Sequence, residues 1–301
     1  MPPVKPMLAK AVHELPPGDD GDLVFEPKWD GFRCIIFRDG DEVELGSRNQ
    51  RPFTRYFPEL VDPVRRLLPE KVVVDGELVV PGPDGLDFDA LGQRIHPAES
   101  RVRMLAERWP ASFVAFDLLA VGDRDLTGLP FRERRAALTE IAVDFEPPIL
   151  LTPSTSNRAE AQEWFDRFEG AGFDGVMAKP ADGLYLQDKR AQFKVKQQKT
   201  ADCVVAGYRI HKSGDGVGSL LLGAFDDSGD LRHLGVASSF KAADRPLLLE
   251  KLSALRLDDV TAHPWGSWAQ QTAETADGRM PGGPNRWNAQ KDMSWVPIEP
   301  I

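Results

Sequence analysis

Three short apolar runs punctuate the first two thirds of the chain: VVVDGELVV (72–80), SFVAFDLLAV (112–121) and FDGVMAKP (173–180). Each is bounded by Gly, Pro or Asp and rich in β-branched or aromatic side chains, the pattern of buried strands. Between them the apolar period lengthens to that of helices. In TRYFPELVDPVRRLL, Phe57, Leu60, Val61, Val64, Leu67 and Leu68 share one face, with Pro58 and Pro63 leaving the helix ends open. NRAEAQEWFDRFEGAG groups Trp164, Phe165 and Phe168, opens on Asn157 as a cap and runs out into glycines. Strands do not alternate strictly with long crossover helices. The pattern therefore predicts an α+β core with antiparallel or mixed sheets.

From about Thr200 the texture changes. TADCVVAGYRIH and GSLLLGAFDDSGDLRHLGVASSF read as strands, with Asp227-Ser228-Gly229-Asp230 as a hairpin turn, and DRPLLLEKLSAL reads as one helix. Short strands with one inserted helix suit a small β-barrel of the OB type. The expected division is a first domain over 1–199 and a second over 200–301, which also agrees with a length of 301 residues. The closing stretch from Asp277 to Ile301 is rich in Gly, Pro and Trp.

Composition narrows the class only a little. The chain is 42% hydrophobic and 28% charged, ordinary globular usage with enough apolar surface for a sizeable core. No apolar run reaches the roughly 18 residues of a membrane span, and the N-terminus lacks the basic-then-apolar layout of a secretory signal. The two cysteines, Cys34 and Cys203, lie in apolar runs without metal-type spacing and read as buried thiols in a reducing cytoplasm. A net charge of −10 argues against binding nucleic acid by bulk charge alone, yet leaves room for a local basic groove.

The candidate chemistry starts at FEPKWDGFR, which sets Lys28 between Glu26 and Asp30-Gly31. Lys-x-Asp-Gly arises by chance in about one chain in fifteen of this length, so alone it is a weak signal that reads first as a strand end and turn. As a nucleophile the lysine must lose its proton, which nearby carboxylates oppose; a divalent metal or neighbouring lysines would offset them. QFKVKQQK supplies Lys194 and Lys196, two apart and hence on one strand face, either a phosphate clamp or a solvated edge. Asp75 and Glu77 interrupt one apolar run, Asp117 another (with Phe116 on the opposite face) and Asp174 a third. Such carboxylates need cations, a metal, hydroxyl groups or water, or else mark strand ends emerging into solvent, as at Gly76. GSRNQRPF adds Arg48 and Asn49, able to hold phosphate or ribose.

The order of these pieces is more specific than any one of them. E-P-K-W-D-G-F-R, S-R-N, D-G-E, F-D-L-L, D-G-V-M-A-K and K-V-K follow one another as the nucleotidyltransferase motifs do in ATP-dependent DNA ligases. The series most resembles the short two-domain bacterial ligases related to the ligase module of end-joining enzymes (ligase D- and C-like). The resemblance covers about the first two thirds of the chain, and QQKTADCVV looks like the start of the family's OB domain.

The resemblance implies a nucleotidyltransferase (ATP-grasp-like adenylation) domain followed by an OB-fold domain. It implies three steps: Lys28 takes AMP from ATP with release of pyrophosphate, the AMP passes to a 5′-phosphate at a DNA nick, and the 3′-hydroxyl displaces it. By analogy Glu26 reads the adenine amino group, and Arg33 and Arg48 hold ribose and phosphate. Glu77 binds a ribose hydroxyl and assists a metal. Phe116 stacks on adenine with Met177 opposite, Lys194 and Lys196 touch the α-phosphate, and Asp30 aligns the 3′ end. Mg²⁺ (or Mn²⁺) is the implied metal, with Glu77 and Asp174 as its carboxylates. Nicked duplex DNA is the implied partner, with other DNA-repair proteins beside it, for a monomeric enzyme of the bacterial cytoplasm and nucleoid. Two departures stand out. Asp174 occupies a position where the family usually has Glu, and the shorter side chain implies contact with the metal through water. The basic motif that ends the family's OB domain is not recognisable before Ile301, so the chain is truncated or the motif has diverged. RNA ligases and mRNA-capping guanylyltransferases share the lysine and the core, although Glu26 and Phe32-Arg33 look more like DNA ligase. A non-catalytic DNA-end scaffold has no use for Lys28, Glu77 and the Lys194/Lys196 pair together.

Overall fold

The structure is a computed structural model that describes residues 4–19, 21–83, 85–167, 173–196, 200–259, 261, 263–266 and 294–301. The chain forms two compact units, Met1–Gln198 and Lys199–Ile301.

In the first unit the three apolar runs are strands at Lys71–Val79, Ser112–Val121 and Phe173–Pro180. The first two lie at the centre of a six-stranded sheet with Phe32–Asp39, Glu42–Ser47, Ile149–Leu151 and the short Arg124–Asp125. Its pairings are antiparallel except that Ile149–Leu151 runs parallel to Ser112–Val121. Period-two alternation sends Ile36, Val74 and Leu78 into one core with Leu60, Val64 and Leu138, and Ile35 and Val73 into another with Val4, Met7 and Tyr185. Both faces are covered, so these strands read as near-continuous apolar runs. The strand does not emerge into solvent at Gly76, against one of the readings above: Asp75 is wholly buried and pairing continues to Val79. Gly76 is there for space, since a Cβ would sit 2.3 Å from the Phe113 ring.

A second sheet orders Leu8–Val12, Arg190–Val195, Phe173–Pro180 and Leu23–Trp29, with the first pair parallel and the others antiparallel. The mixed sheets of an α+β unit are therefore present. Helix Arg158–Arg167 covers this sheet's core, and Asn157 caps it, its Oδ1 accepting from the amides of Ala159 (2.8 Å) and Glu160 (3.1 Å). Phe168, expected on its face, lies outside the described residues. The helix expected over residues 54–68 is instead two 3₁₀ turns, Thr54–Tyr56 and Pro58–Leu60, and a short α-helix, Val61–Leu67. Pro58 lacks the N–H that a continuous helix needs at this point, and Pro63 is tolerated only because it falls in a first turn.

In the second unit Val204–Ile210, Val217–Phe225 and Leu231–Ala237 form an antiparallel meander, Val296–Pro297 pairs with its first strand, and the helix is Asp244–Ser253. The expected hairpin turn is formed, with Gly229 at φ +82° where a side chain would be strained. Among the described residues this sheet is open, and no barrel is closed. Residues 277–293 of the Gly/Pro/Trp-rich stretch lie outside the described residues. Cys34 is buried as expected, whereas Cys203 is only partly buried because it precedes the first strand of this unit.

Candidate active site

Two irregularities in strand pairing build the site, and both lie within the first unit. Between Phe173–Pro180 and Leu23–Trp29 the register jumps: Phe173 faces Trp29, but Val176 faces Pro27. Asp174 and Gly175 therefore oppose Lys28 alone, a β-bulge. Gly175 has φ +131°, and a Cβ on it would lie 2.0 Å from the Val195 carbonyl oxygen, so only glycine fits. The bulge aims Asp174 at Lys28, Nζ to Oδ2 2.6 Å. In the other sheet Asp75 pairs with Asp117 and Gly76 with Ala115, leaving Phe116 as the extra residue. That bulge sets the Phe116 ring toward the second sheet and its carbonyl toward Lys179 Nζ, 3.0 Å away.

Between the two sheets lies a cavity of about 370 Å³. Every residue to which the resemblance assigns a role lines it: Glu26, Lys28, Asp30, Arg33, Arg48, Glu77, Phe116, Asp174, Met177, Lys194 and Lys196, whereas Asn49 is not among the lining residues. Gly31, beside Asp30, comes so close to the neighbouring strand that a Cβ would meet the Leu78 carbonyl oxygen at 2.1 Å. The glycine of KWDG is thus what lets the chain pass between the sheets.

In one part of the cavity the buried charges are paired. Glu26, 2% exposed, accepts from Lys179 Nζ at 2.7 Å and from Arg135 Nη1 at 3.4 Å. Burial pushes its carboxyl above the usual range, against the pull of Lys179 and Arg135. Lys179 is also held over the Phe116 and Phe131 rings, 4.6 and 4.5 Å from their centroids. Arg33 stands 4.4 Å over the Phe116 ring while its guanidinium grips Asp75 with two 2.5 Å bonds. Burial opposes the Arg33 charge, but Asp75 more than offsets it and raises its pKa. Tyr185 donates to Asp75 at 2.6 Å and accepts from the Met7 amide at 3.1 Å, tying this network to the N-terminal segment.

The other part is more open and cationic. Lys28 and Lys196 both bond Asp174 Oδ2. Burial raises the Asp174 carboxyl, yet the hydrogen bonds from Lys196 and Lys28 hold it below the ordinary value. Lys194 is lowered by burial and by the nearby Lys196, Lys28 and Arg48, which is what a cluster of ammonium groups does to its members. Glu77 is pushed by burial up to about 8, against Arg33 and Lys28. Asp30, Glu77 and Asp174 line the cavity, but among the described residues no three carboxylate, His or Cys side chains are grouped to hold a metal ion; a hard divalent cation would have to complete its shell with water and phosphate oxygens.

Not every interrupting carboxylate serves the cavity. Asp75 anchors Arg33, and Asp117 is buried in a two-bond pair with Arg134 at 2.8 and 2.9 Å. Sequence reasoning missed Lys179 and Arg135. Lys179 carried a signal, a charge inside the apolar run GVMAKP, whereas nothing in FRERR distinguishes Arg135 from its neighbours.

Comparison with known proteins gives one answer. Residues 6–196 match the model of the ATP dependent DNA ligase domain. DNA ligase C2 of Mycolicibacterium smegmatis is 57% identical over 301 residues, spanning 100% of this chain and 84% of the relative. DNA ligase C of Mycobacterium tuberculosis is 57% identical over 309 residues, spanning 100% and 83%. Among solved structures, a mycobacterial DNA ligase D complexed with ATP and MES matches with 27% identity and a TM-score of 0.53, over 99% of this chain and 86% of that one.

Proposed function

The chain belongs to the family of ATP-dependent DNA ligases, and from that membership we propose that it seals nicks in duplex DNA through a lysyl-AMP formed on Lys28. The observation that carries the assignment is Lys28 at the head of a cavity whose one part presents a buried carboxylate and aromatic and thioether walls, and whose other part presents lysines. Such a shape suits a nucleotide, with the base among Glu26, Phe116 and Met177 and the phosphates toward Lys194, Lys196 and Arg48. Glu26 accepts from the adenine amino group. Phe116 already carries two anchored cations on its ring, so it acts as one wall of a polarised base pocket as well as a stacking surface.

In the first step Lys28 Nζ, having given its proton to water, forms a bond to the α-phosphorus as the bond from that phosphorus to the β-phosphate oxygen breaks, and pyrophosphate leaves. Asp174, itself bonded by Lys196, holds Nζ in place until then. Phosphoryl transfer asks mainly for in-line positioning and charge neutralisation. A bound Mg²⁺ or Mn²⁺ held by Glu77 and Asp174 would supply neutralisation beyond what the lysines give. The AMP then passes to the 5′-phosphate of the nick, where Asp30 aligns the 3′-hydroxyl that expels it. Met1–Gln198 is the nucleotidyltransferase unit in this reading. Lys199–Ile301 is the OB-fold unit, a reading its meander and single helix support.

Incubation with a singly nicked duplex bearing a labelled 5′-phosphate tests the proposal. Joining that needs ATP and a divalent cation is expected. Joining confined to nicked RNA, or labelling of the protein by GTP and not ATP, would replace it with the RNA-ligase or capping-type reading.

A further inference from the structure

The Glu26 carboxylate has two cations where one would neutralise it. We infer that Arg135, which does not line the cavity, determines base selectivity by fixing Glu26 as a charged hydrogen-bond acceptor. The inference rests on the placement of the nucleotide proposed above.

The guanidinium is positioned without help from Glu26. Its Nη2 donates to the Thr152 carbonyl at 2.6 Å. Thr152 is itself fixed, its amide donating to the Ala115 carbonyl at 2.9 Å and its hydroxyl accepting from Trp29 Nε1 at 2.9 Å. From this mount Nη1 reaches Glu26 Oε1 at 3.4 Å, while Lys179 takes Oε2 at 2.7 Å. The carboxylate is thereby held from both oxygens, and its remaining lone pairs belong to whatever occupies the cavity. Adenine carries an amino donor where guanine carries the O6 acceptor. A charged acceptor at that edge attracts the first and repels the second. A protonated Glu26 would lose this discrimination, because a carboxyl hydroxyl donates equally well to O6. The groups facing Glu26 are Lys179 from the Phe173–Pro180 strand, Arg135 from the Phe131–Ile141 helix and Asp117 from the Ser112–Val121 strand. Burial and Asp117 favour the neutral form, so the charge depends on both cations. Lys179 is locked between two aromatic rings, and its removal disturbs their packing. Arg135, 12% exposed at the side chain, is the partner that can be changed with the least collateral damage.

The test is lysyl-nucleotide formation by the full chain, measured against ATP and GTP concentration for wild type, Arg135→Met, Arg135→Lys, Glu26→Gln and the Glu26→Gln/Arg135→Met double variant. Arg135→Met is expected to raise the KM for ATP about tenfold, the loss of one charge-assisted hydrogen bond, with kcat within about twofold. The preference for ATP over GTP narrows in parallel, most strongly as pH falls from 8 to 6. Arg135→Lys restores part of the preference. Because Arg135 acts through Glu26, adding Arg135→Met to Glu26→Gln changes nothing further. Additive effects in the double variant, or a fall in kcat and thermal stability at unchanged ATP-to-GTP preference, would overturn the inference and leave the ligase reading intact. A wild type that forms no adduct with ATP would sink both.

Discussion

The two parts of the cavity hold charge in opposite ways. Around Glu26 the carboxylate is 2% exposed, its Lys179 partner 4% and Arg135 12%. Around Lys28 the side chain of the proposed nucleophile is 17% exposed, Asp174 32% and Lys196 45%. A desolvated ion pair whose partner is removed leaves an uncompensated buried charge, at a loss of about 3–5 kcal/mol. An exposed pair contributes only about 0.2–1 kcal/mol and can be exchanged for water, metal or substrate. Base recognition needs charges that stay where they are. Phosphoryl transfer needs a lysine that can leave its carboxylate for phosphorus. The burial of each cluster matches the task proposed for it.

The contrast can be broken from either side. The largest effect belongs to Lys28→Ala, which removes ATP-driven sealing altogether. The same variant still joins a nick whose 5′-phosphate already carries AMP, because the last step makes no bond to the lysine; failure on that substrate would show that Lys28 also shapes the DNA site. Next comes Lys179→Met. Loss of the buried partner lowers stability by about 3 kcal/mol, part of the cost being relieved as Glu26 takes up a proton, and chemical denaturation measures it. Glu77 gives a pH signature. Its carboxyl, raised from 4.5 to about 8, keeps a proton in the folded state that the unfolded chain has lost, so folding stability declines as pH rises through that window. Glu77→Gln removes the decline, and its melting temperature should exceed that of wild type at pH 8 and converge with it near pH 5. The smallest change in stability is expected for Lys196→Met, under about 1 kcal/mol, together with slower lysyl-AMP formation. A stability loss as large as that of Lys179→Met would erase the distinction between the two clusters.

How much of this was legible in the sequence follows from the range of each interaction. The strands at 112–121 and 173–180 could be placed to the residue, because an apolar run bounded by turn residues is a local signal. The ordered motifs named every cavity-lining residue proposed for chemistry. The bulges were hidden. Nothing in SFVAFDLLAV says that Phe116 is the unpaired residue, since that depends on the register with Lys71–Val79, a strand more than thirty positions earlier. The Asp174-Gly175 bulge left a trace in its glycine, but its consequence, Asp174 bonded to Lys28, depends on pairing across 146 positions. Separation along the chain, 42 positions for Arg33–Asp75 and 17 for Arg134–Asp117, also hid the partners of the buried carboxylates. Asp75 and Asp117 break apolar runs as Asp174 does, yet Arg33 and Arg134 claim them for the framework. Arg135 left no trace, because a helix with four charges in its first five residues gives no reason to prefer one of them.

Intact mass under denaturing conditions, before and after ATP with Mg²⁺, tests the central claim most directly when wild type and Lys28→Ala are compared. An AMP-sized adduct on the wild type, absent from the variant, is the predicted result. An adduct that persists on Lys28→Ala would place the nucleophile elsewhere and contradict the account.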